Sequence, residues 1–402
     1  MTKGDDKMTI HLTTIQTMAL AVIVFYLGKT LNNKIKFLKD NCIPDAVTGG
    51  TLFSIFTLIG YETGLFSFIF EDSLKDIFMI AFFTTVGFSA SIKLLKKAGL
   101  PVFMFLIAAV LLAVLQNVAG IAMAKVLNVN LMIGLATGSL ATTGGPGTAG
   151  AFGPIMESFG TPGATMVAMA TATYALIAGS IIAGPICKRL IEKKKLIEKR
   201  VTLSEFEGSD EKVTTLQLKN VVPTGFQVII AMGVGSVISK FLNDMGMVLP
   251  PYIGAMFAAS IMRNLADETG KFSIDLDVVS VIGSFTLAMF LSMTLMSFKL
   301  WELKELALPL IIMLIGQTIL MGAFAYFVTF TLTGRDYDAA VMTGGHYGCG
   351  FGTTPKALAN MEALTAKYLP SPKAFFVIPI VGGLFIDFFN AAIITFFINL
   401  LK

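Results

Sequence analysis

The chain has 402 residues, of which 55% are hydrophobic and only 14% charged; the formal net charge is +4 and the mean hydropathy +0.77. A water-soluble domain carries roughly 25% charged residues, so the polar surface here is too small to coat a soluble globule, and the composition points to a polytopic membrane protein. Three cysteines and two histidines follow no ligand or bridge spacing, which argues against a disulfide framework and a metal cluster.

Apolar runs of about 20 residues mark membrane spans. In chain order they cover residues 10–31, 44–60, 74–91, 101–127 and 161–187, then 221–242, 250–262, 278–298, 306–332 and 374–401. The first run lacks a small-residue cleavage site and reads as a span, not a signal peptide. The expected fold is an all-α integral membrane protein with ten transmembrane helices, five on each side of a polar linker at 188–219. With both termini outside, 22 of the 30 Lys and Arg fall on the inner side. That asymmetry fits the positive-inside rule and makes the linker cytoplasmic.

Between the fourth and fifth span of each half lies a glycine-rich stretch. Residues 142–154 read TTGGPGTAGAFGP and residues 343–355 read TGGHYGCGFGTTP, five glycines in thirteen positions each. Thr143-Gly144-Gly145 matches Thr343-Gly344-Gly345, Pro44 matches Pro250, and Leu100-Pro101 matches Leu308-Pro309. The chain therefore divides into a first repeat, 1–187, and a second, 220–402. Five spans is an odd number, so the second copy is expected to be inverted. Interrupted segments at matching places of inverted halves point to the binding site of a secondary transporter. Irregular backbone at membrane depth survives only when buried in protein or lining a polar cavity. Each run is thus expected to form a re-entrant hairpin, at about 130–160 and 337–370, with the two tips facing each other.

Helix ends at such tips offer N–H groups to carboxylates and free carbonyls to Na+. The anion-binding candidates are Thr143, Gly144, Gly145, Gly147 and Thr148 at the first tip, and Gly345, His346, Gly348, Gly350, Thr353 and Thr354 at the second. Asp387 is the only charge within the span 374–401. An intramembrane carboxylate is costly and functional by default, so Asp387 is a candidate for substrate ammonium or for Na+. Asn390, Thr143, Thr353 and Gly344 supply further candidate oxygens for Na+. Gln116, Asn117 and Gln317 read as hydrogen bonds between helices, and Arg263 and Arg335 as anchors at inner span ends.

The strings TGGPGTAGAFGP, GGHYGCGFGTTPKALANM (344–361) and VGGLFIDFFNAAI (381–393) closely resemble the bacterial sodium/glutamate symporters over essentially the whole chain. Two positions depart from that pattern: Pro146 stands where His is usual, and Lys356 where a small or hydroxyl residue is usual. The resemblance implies Na+-coupled uptake of L-glutamate across the bacterial inner membrane. It further implies a homodimer with a static scaffold and a mobile transport part, an elevator-type alternating access, no cofactor, no nucleic-acid partner and no enzymatic activity. A Na+-coupled carrier of another dicarboxylate, such as a 2-hydroxy acid, and an ion channel are the alternatives.

Overall fold

The computed structural model describes residues 8–36, 38, 43–71, 73–197, 218–244, 251–298 and 307–402. Most of the predicted linker, including 198–217, and the first of the three cysteines, Cys42, lie outside the described residues.

Among the described residues, seven helices are long and apolar enough to cross a membrane: Thr14–Lys34, Gly99–Val126, Ala164–Lys193, Leu218–Asp244, Leu276–Met296, Ala307–Leu332 and Pro372–Leu401. The protein is a multi-pass membrane protein. The other three predicted spans fall on the helices Asp45–Thr63, Ser73–Ser89 and Pro251–Thr269. At 1.5 Å per residue these reach about 26 to 29 Å, close to the thickness of a hydrocarbon core. Each interrupts its apolar run with small or polar residues, which is why they read as weaker spans.

Helix ends follow local chemistry. Gly64, at φ 71°, closes Asp45–Thr63, because a left-handed cap suits a residue without Cβ. Gly99, at φ 75°, breaks the run Ile92–Val126 just before Pro101. Asp275 caps Leu276–Met296 and accepts from the N–H groups of Asp277 and Val278. Its carboxyl is held below the usual range by the hydrogen bond from Asn220 and by those backbone N–H groups.

The expectation of an all-α chain needs one correction. Residues Met8–Leu12 and Phe66–Phe70 pair as a two-stranded parallel ribbon, so the first helix begins at Thr14 and not at residue 10. The cause is visible in FSFIF, where Phe66, Phe68 and Phe70 alternate along the strand. Their rings pack on Phe53 and Phe56 of the neighbouring helix at 4.9 to 6.5 Å between centroids.

The helices sort into two bodies. Thr14–Lys34, Asp45–Thr63, Ser73–Ser89, Leu218–Asp244, Pro251–Thr269 and Leu276–Met296 pack chiefly on one another. These are the first three helices of each half of the sequence. Two pairs within this body touch backbone to backbone. A Cβ at Gly49 would sit 1.9 Å from the Val24 carbonyl oxygen, and one at Gly254 would sit 2.2 Å from the Gly235 carbonyl oxygen. The remaining helices surround the two glycine-rich segments and form the second body.

Candidate functional site

Each glycine-rich segment folds as helix, break, helix. The first hairpin runs through Leu131–Ala136, Ser139–Thr142 and Gly145–Ser158. It is interrupted twice, at Thr137–Gly138 and at Thr143–Gly144. Gly145 takes φ 64°, a region that only glycine enters without strain. The second hairpin runs through Tyr337–Gly350 and Thr354–Lys367 and is interrupted once, at Phe351–Thr353. Both rising helices carry proline in their first turn, Pro146 and Pro355, where the missing N–H costs nothing and φ is already helical.

The two tips meet. The Gly352 N–H donates to the Thr142 carbonyl at 2.9 Å. Gln116, from the long helix beside them, clamps both: its Nε2 donates to the Gly350 carbonyl at 2.8 Å, and its Oε1 accepts from Thr143 Oγ1 at 2.7 Å. Gln317 Nε2 in turn donates to the Gln116 carbonyl at 2.7 Å. These glutamines and Asn117, whose Oδ1 accepts the Ser139 N–H, do hydrogen-bond between helices, as their burial in an apolar span requires.

A cavity of about 340 Å3 opens at the meeting point. Its polar wall comes from the second body: Thr143, Gly144 and Gly147 of the first hairpin, Gly352, Thr353 and Thr354 of the second, and Gly382 and Asp387 of the last helix. Pro44, Phe82, Leu287 and Leu291 of the first body close the apolar side. The volume suits a small molecule. A π-helical turn at Val381–Phe385 precedes Asp387. It presents the Gly382 carbonyl, which accepts from Thr354 Oγ1 at 2.6 Å; such turns recur at functional sites. Asp387 is half-buried, and no hydrogen bond or ion pair reaches its carboxylate among the described residues. The site thus combines the N-terminal turns of two 14-residue helices, which carry partial positive charge, with one carboxylate.

The structure brings together Thr143, Gly144, Gly147, Thr353, Thr354 and Asp387 at this cavity. Gly145 stands at the same tip, its Cβ position 3.2 Å from the Gly352 carbonyl oxygen. Thr148 packs on Gly144 one turn behind, and Gly350 supplies the carbonyl that Gln116 grips. Four candidates lie deeper in the second hairpin. Gly344 faces Leu364 and Cys187, Gly345 faces Ile378 and Met361, and Gly348 faces Ala357. His346 is buried, with Nδ1 2.7 Å from Thr329 Oγ1 and its ring against Phe105 and Phe324. Asn390 lies one turn beyond Asp387, with Nδ2 donating to the Ser139 carbonyl at 3.1 Å. Arg263 pairs with Asp267 at 3.1 Å. Sequence reasoning missed Ser139, the Gly382 carbonyl and the apolar lid. The small residues preceding the first run, Gly134, Gly138 and Ser139, were the available signal for the extra break.

Comparison with known proteins bears on what this site serves. The signature of the family described as "Sodium/glutamate symporter" matches residues 10–370. The "Sodium/glutamate symporter" of Escherichia coli (strain K12) is 38% identical over 397 residues, covering 97% of this chain and 98% of that protein. The protein of the same name from Haemophilus influenzae is 36% identical over 393 residues, covering 96% and 97%. A solved sodium proton antiporter from Methanocaldococcus jannaschii covers 96% of this chain and 98% of its own, at 14% identity and a TM-score of 0.37, too loose a match to group the two folds. Identity above one third along nearly the full length leaves one assignment: the chain belongs to the sodium/glutamate symporter family.

Proposed function

We propose that the protein carries L-glutamate into the bacterial cell together with Na+, by alternating access of an elevator type. One observation carries this reading: two helix N-termini and one unpaired carboxylate converge on a single small cavity. Glutamate has two carboxylates and one ammonium group. The N-terminal turns at Gly145 and Thr354 suit the carboxylates, and Asp387 suits the ammonium. The hydroxyls of Thr143, Thr353 and Thr354 add orientation. Na+ is the coupling ion, and no cofactor takes part.

Glutamate enters with net charge −1, and an inside-negative potential of 100 mV opposes that by about 2.3 kcal/mol. One Na+ would only neutralise the charge. Two or more would let the potential drive uptake, so the transport is electrogenic. In this reading the hairpins are re-entrant, one from each side of the inner membrane, and the ten helices form two inverted repeats. The N- and C-termini lie outside, and the first body is the fixed scaffold of a homodimer. The contact between the bodies supports sliding. The Cβ position of Gly147 lies 3.2 Å from Leu287, and that of Gly150 3.1 Å from Phe290. Phe152 meets Tyr252, and Phe388 meets Phe257, at ring distances of 5.3 and 5.4 Å. Such a face of glycines and rings holds few directional bonds that a shift would break.

Proteoliposomes with an imposed Na+ gradient test the proposal. Counter-gradient accumulation of glutamate, stimulated by an inside-negative K+/valinomycin potential, is the expected result, and uptake indifferent to Na+ would refute it. Asp387→Asn is expected to reduce glutamate uptake by about 100-fold, as loss of a buried polar match does. A 2-hydroxy acid lacks the ammonium. Competition by such an acid as strong as by L-glutamate in the unaltered protein would favour the dicarboxylate alternative.

A further inference from the structure

One helical turn behind the cavity, the first break of the first hairpin gathers a second polar cluster. Asn117 Oδ1 accepts the Ser139 N–H at 2.8 Å, and Asn390 Nδ2 donates to the Ser139 carbonyl at 3.1 Å. All three residues are 0% exposed. Yet Asn390 Oδ1, Ser139 Oγ and Asn117 Nδ2 have no hydrogen-bond partner among the described residues. A buried polar atom left unpaired costs roughly 1–3 kcal/mol, and native proteins hold few of them. Three on side chains that share one residue's backbone call for an occupant.

The chemistry of the cluster selects that occupant. Asn390 Oδ1 and Ser139 Oγ are neutral oxygens with free lone pairs. The helix Leu131–Ala136 stops at Thr137, and a helix end leaves carbonyls without helical partners and carries partial negative charge. Neutral side-chain oxygens with unwound carbonyls suit a hard monovalent cation. Asn117 Nδ2 is a donor. It suits the oxygen of a water that completes the cation's shell.

We infer that Asn390, Ser139 and the broken limb beside them form a Na+ site separate from the glutamate cavity. The site rests on the Na+ coupling proposed above and gives it a location. It also gives a route for coupling. Ser139 opens the one-turn helix Ser139–Thr142. Its carbonyl accepts from the N–H groups of Thr143 and Gly144, and the Thr142 carbonyl at the far end holds Gly352 of the second tip. An ion seated at Ser139 fixes the turn that positions Thr143 and Gly144 on the cavity wall, so Na+ binds first and prepares the site for glutamate.

Ser139→Ala removes one oxygen with little change of volume; Asn390→Ala removes the other; Asn390→Asp keeps it. In proteoliposomes, both alanine variants are expected to raise the half-saturating Na+ concentration at least about tenfold. They should also lower the ratio of sodium-22 to tritiated glutamate flux by about one Na+ per glutamate, while Asn390→Asp, which keeps the oxygen but loses the Nδ2 donor to the Ser139 carbonyl, should raise the half-saturating Na+ concentration less than Asn390→Ala. Thermal unfolding of purified protein without glutamate supplies a readout independent of transport. Na+ should raise the midpoint of the unaltered protein more than that of Ser139→Ala. Unaltered Na+ dependence, flux ratio and thermal shift in Ser139→Ala would overturn the inference and leave the cluster as helix packing. Should Asn390→Ala fail to fold, Ser139→Ala alone decides. Na+-independent uptake by the unaltered protein would instead defeat the symport reading itself, so the two failures are distinguishable.

Discussion

The first hairpin carries seven glycines and the second five, and the two use them differently. In the second, Gly344, Gly345 and Gly348 lie inside one unbroken helix, Tyr337–Gly350. Their missing side chains let other elements approach: a Cβ at Gly348 would stand 2.2 Å from Ala357 Cα on the opposite limb. In the first, Gly138 and Gly145 stand at interruptions, and Gly147 and Gly150 face the other body. One hairpin uses glycine to close on itself, and the other uses it to bend and to meet the first body closely. A glycine count therefore reports that backbone comes close to something. It does not report whether the neighbour is a ligand, a partner helix or a sliding surface.

Substitutions can sharpen or break this contrast. The largest effect is expected at Gly348. Gly348→Leu drives a side chain into the backbone of Ala357 and should destabilise the fold by about 3 kcal/mol, read as a lowered unfolding midpoint in detergent. A stable Gly348→Leu protein would mean that the limbs are looser than described. Gly150→Leu sets a bulky group against Phe290. On the proposed elevator movement, it should leave glutamate binding measurable by calorimetry while slowing turnover about tenfold, because only that movement is obstructed. Equal loss of binding and turnover would place the effect at the cavity. Gln116→Leu strips the clamp from both tips and leaves the Gly350 carbonyl and the Thr143 hydroxyl only the 3.3 Å hydrogen bond that Thr143 donates to Gly350. About 1–2 kcal/mol of lost ordering should appear as an approximately tenfold higher KM for glutamate. The smallest effect is expected at Gly145→Ala. Its positive φ costs about 1 kcal/mol with a Cβ present, giving a severalfold loss of substrate affinity and an unfolding midpoint lowered far less than by Gly348→Leu. A fall in stability equal to that of Gly348→Leu would erase the difference between the hairpins.

Much of this was legible in the residues. The runs at 142–154 and 343–355 marked both tips, because breaking a helix within a membrane needs residues that few sequences offer together. Asp387 stood out as the only charge within the span 374–401, where a carboxylate is costly to bury. In the structure, the helices on either side of these breaks span 131–158 and 337–367. What stayed hidden was pairing in space. Phe82, Leu287 and Leu291 look like any lipid-facing residues until the cavity forms against them. Ser139 and Asn390 are 251 residues apart, and no periodicity links them. The ribbon of Met8–Leu12 with Phe66–Phe70 was masked by hydrophobicity that suits a span equally well.

The glycine contacts of the first body bear on movement. Where Gly28 meets Gly49, and Gly235 meets Gly254, main chain rests on main chain, with no rotamers to re-sort under load. Such a pair of helices is held as one unit, and glycine pairs 21 and 19 residues apart put one such pair in each half of the sequence. In the elevator reading proposed above, a carrier that shifts its cargo relative to the lipid needs something that does not yield, and these main-chain contacts suit the first body to that part.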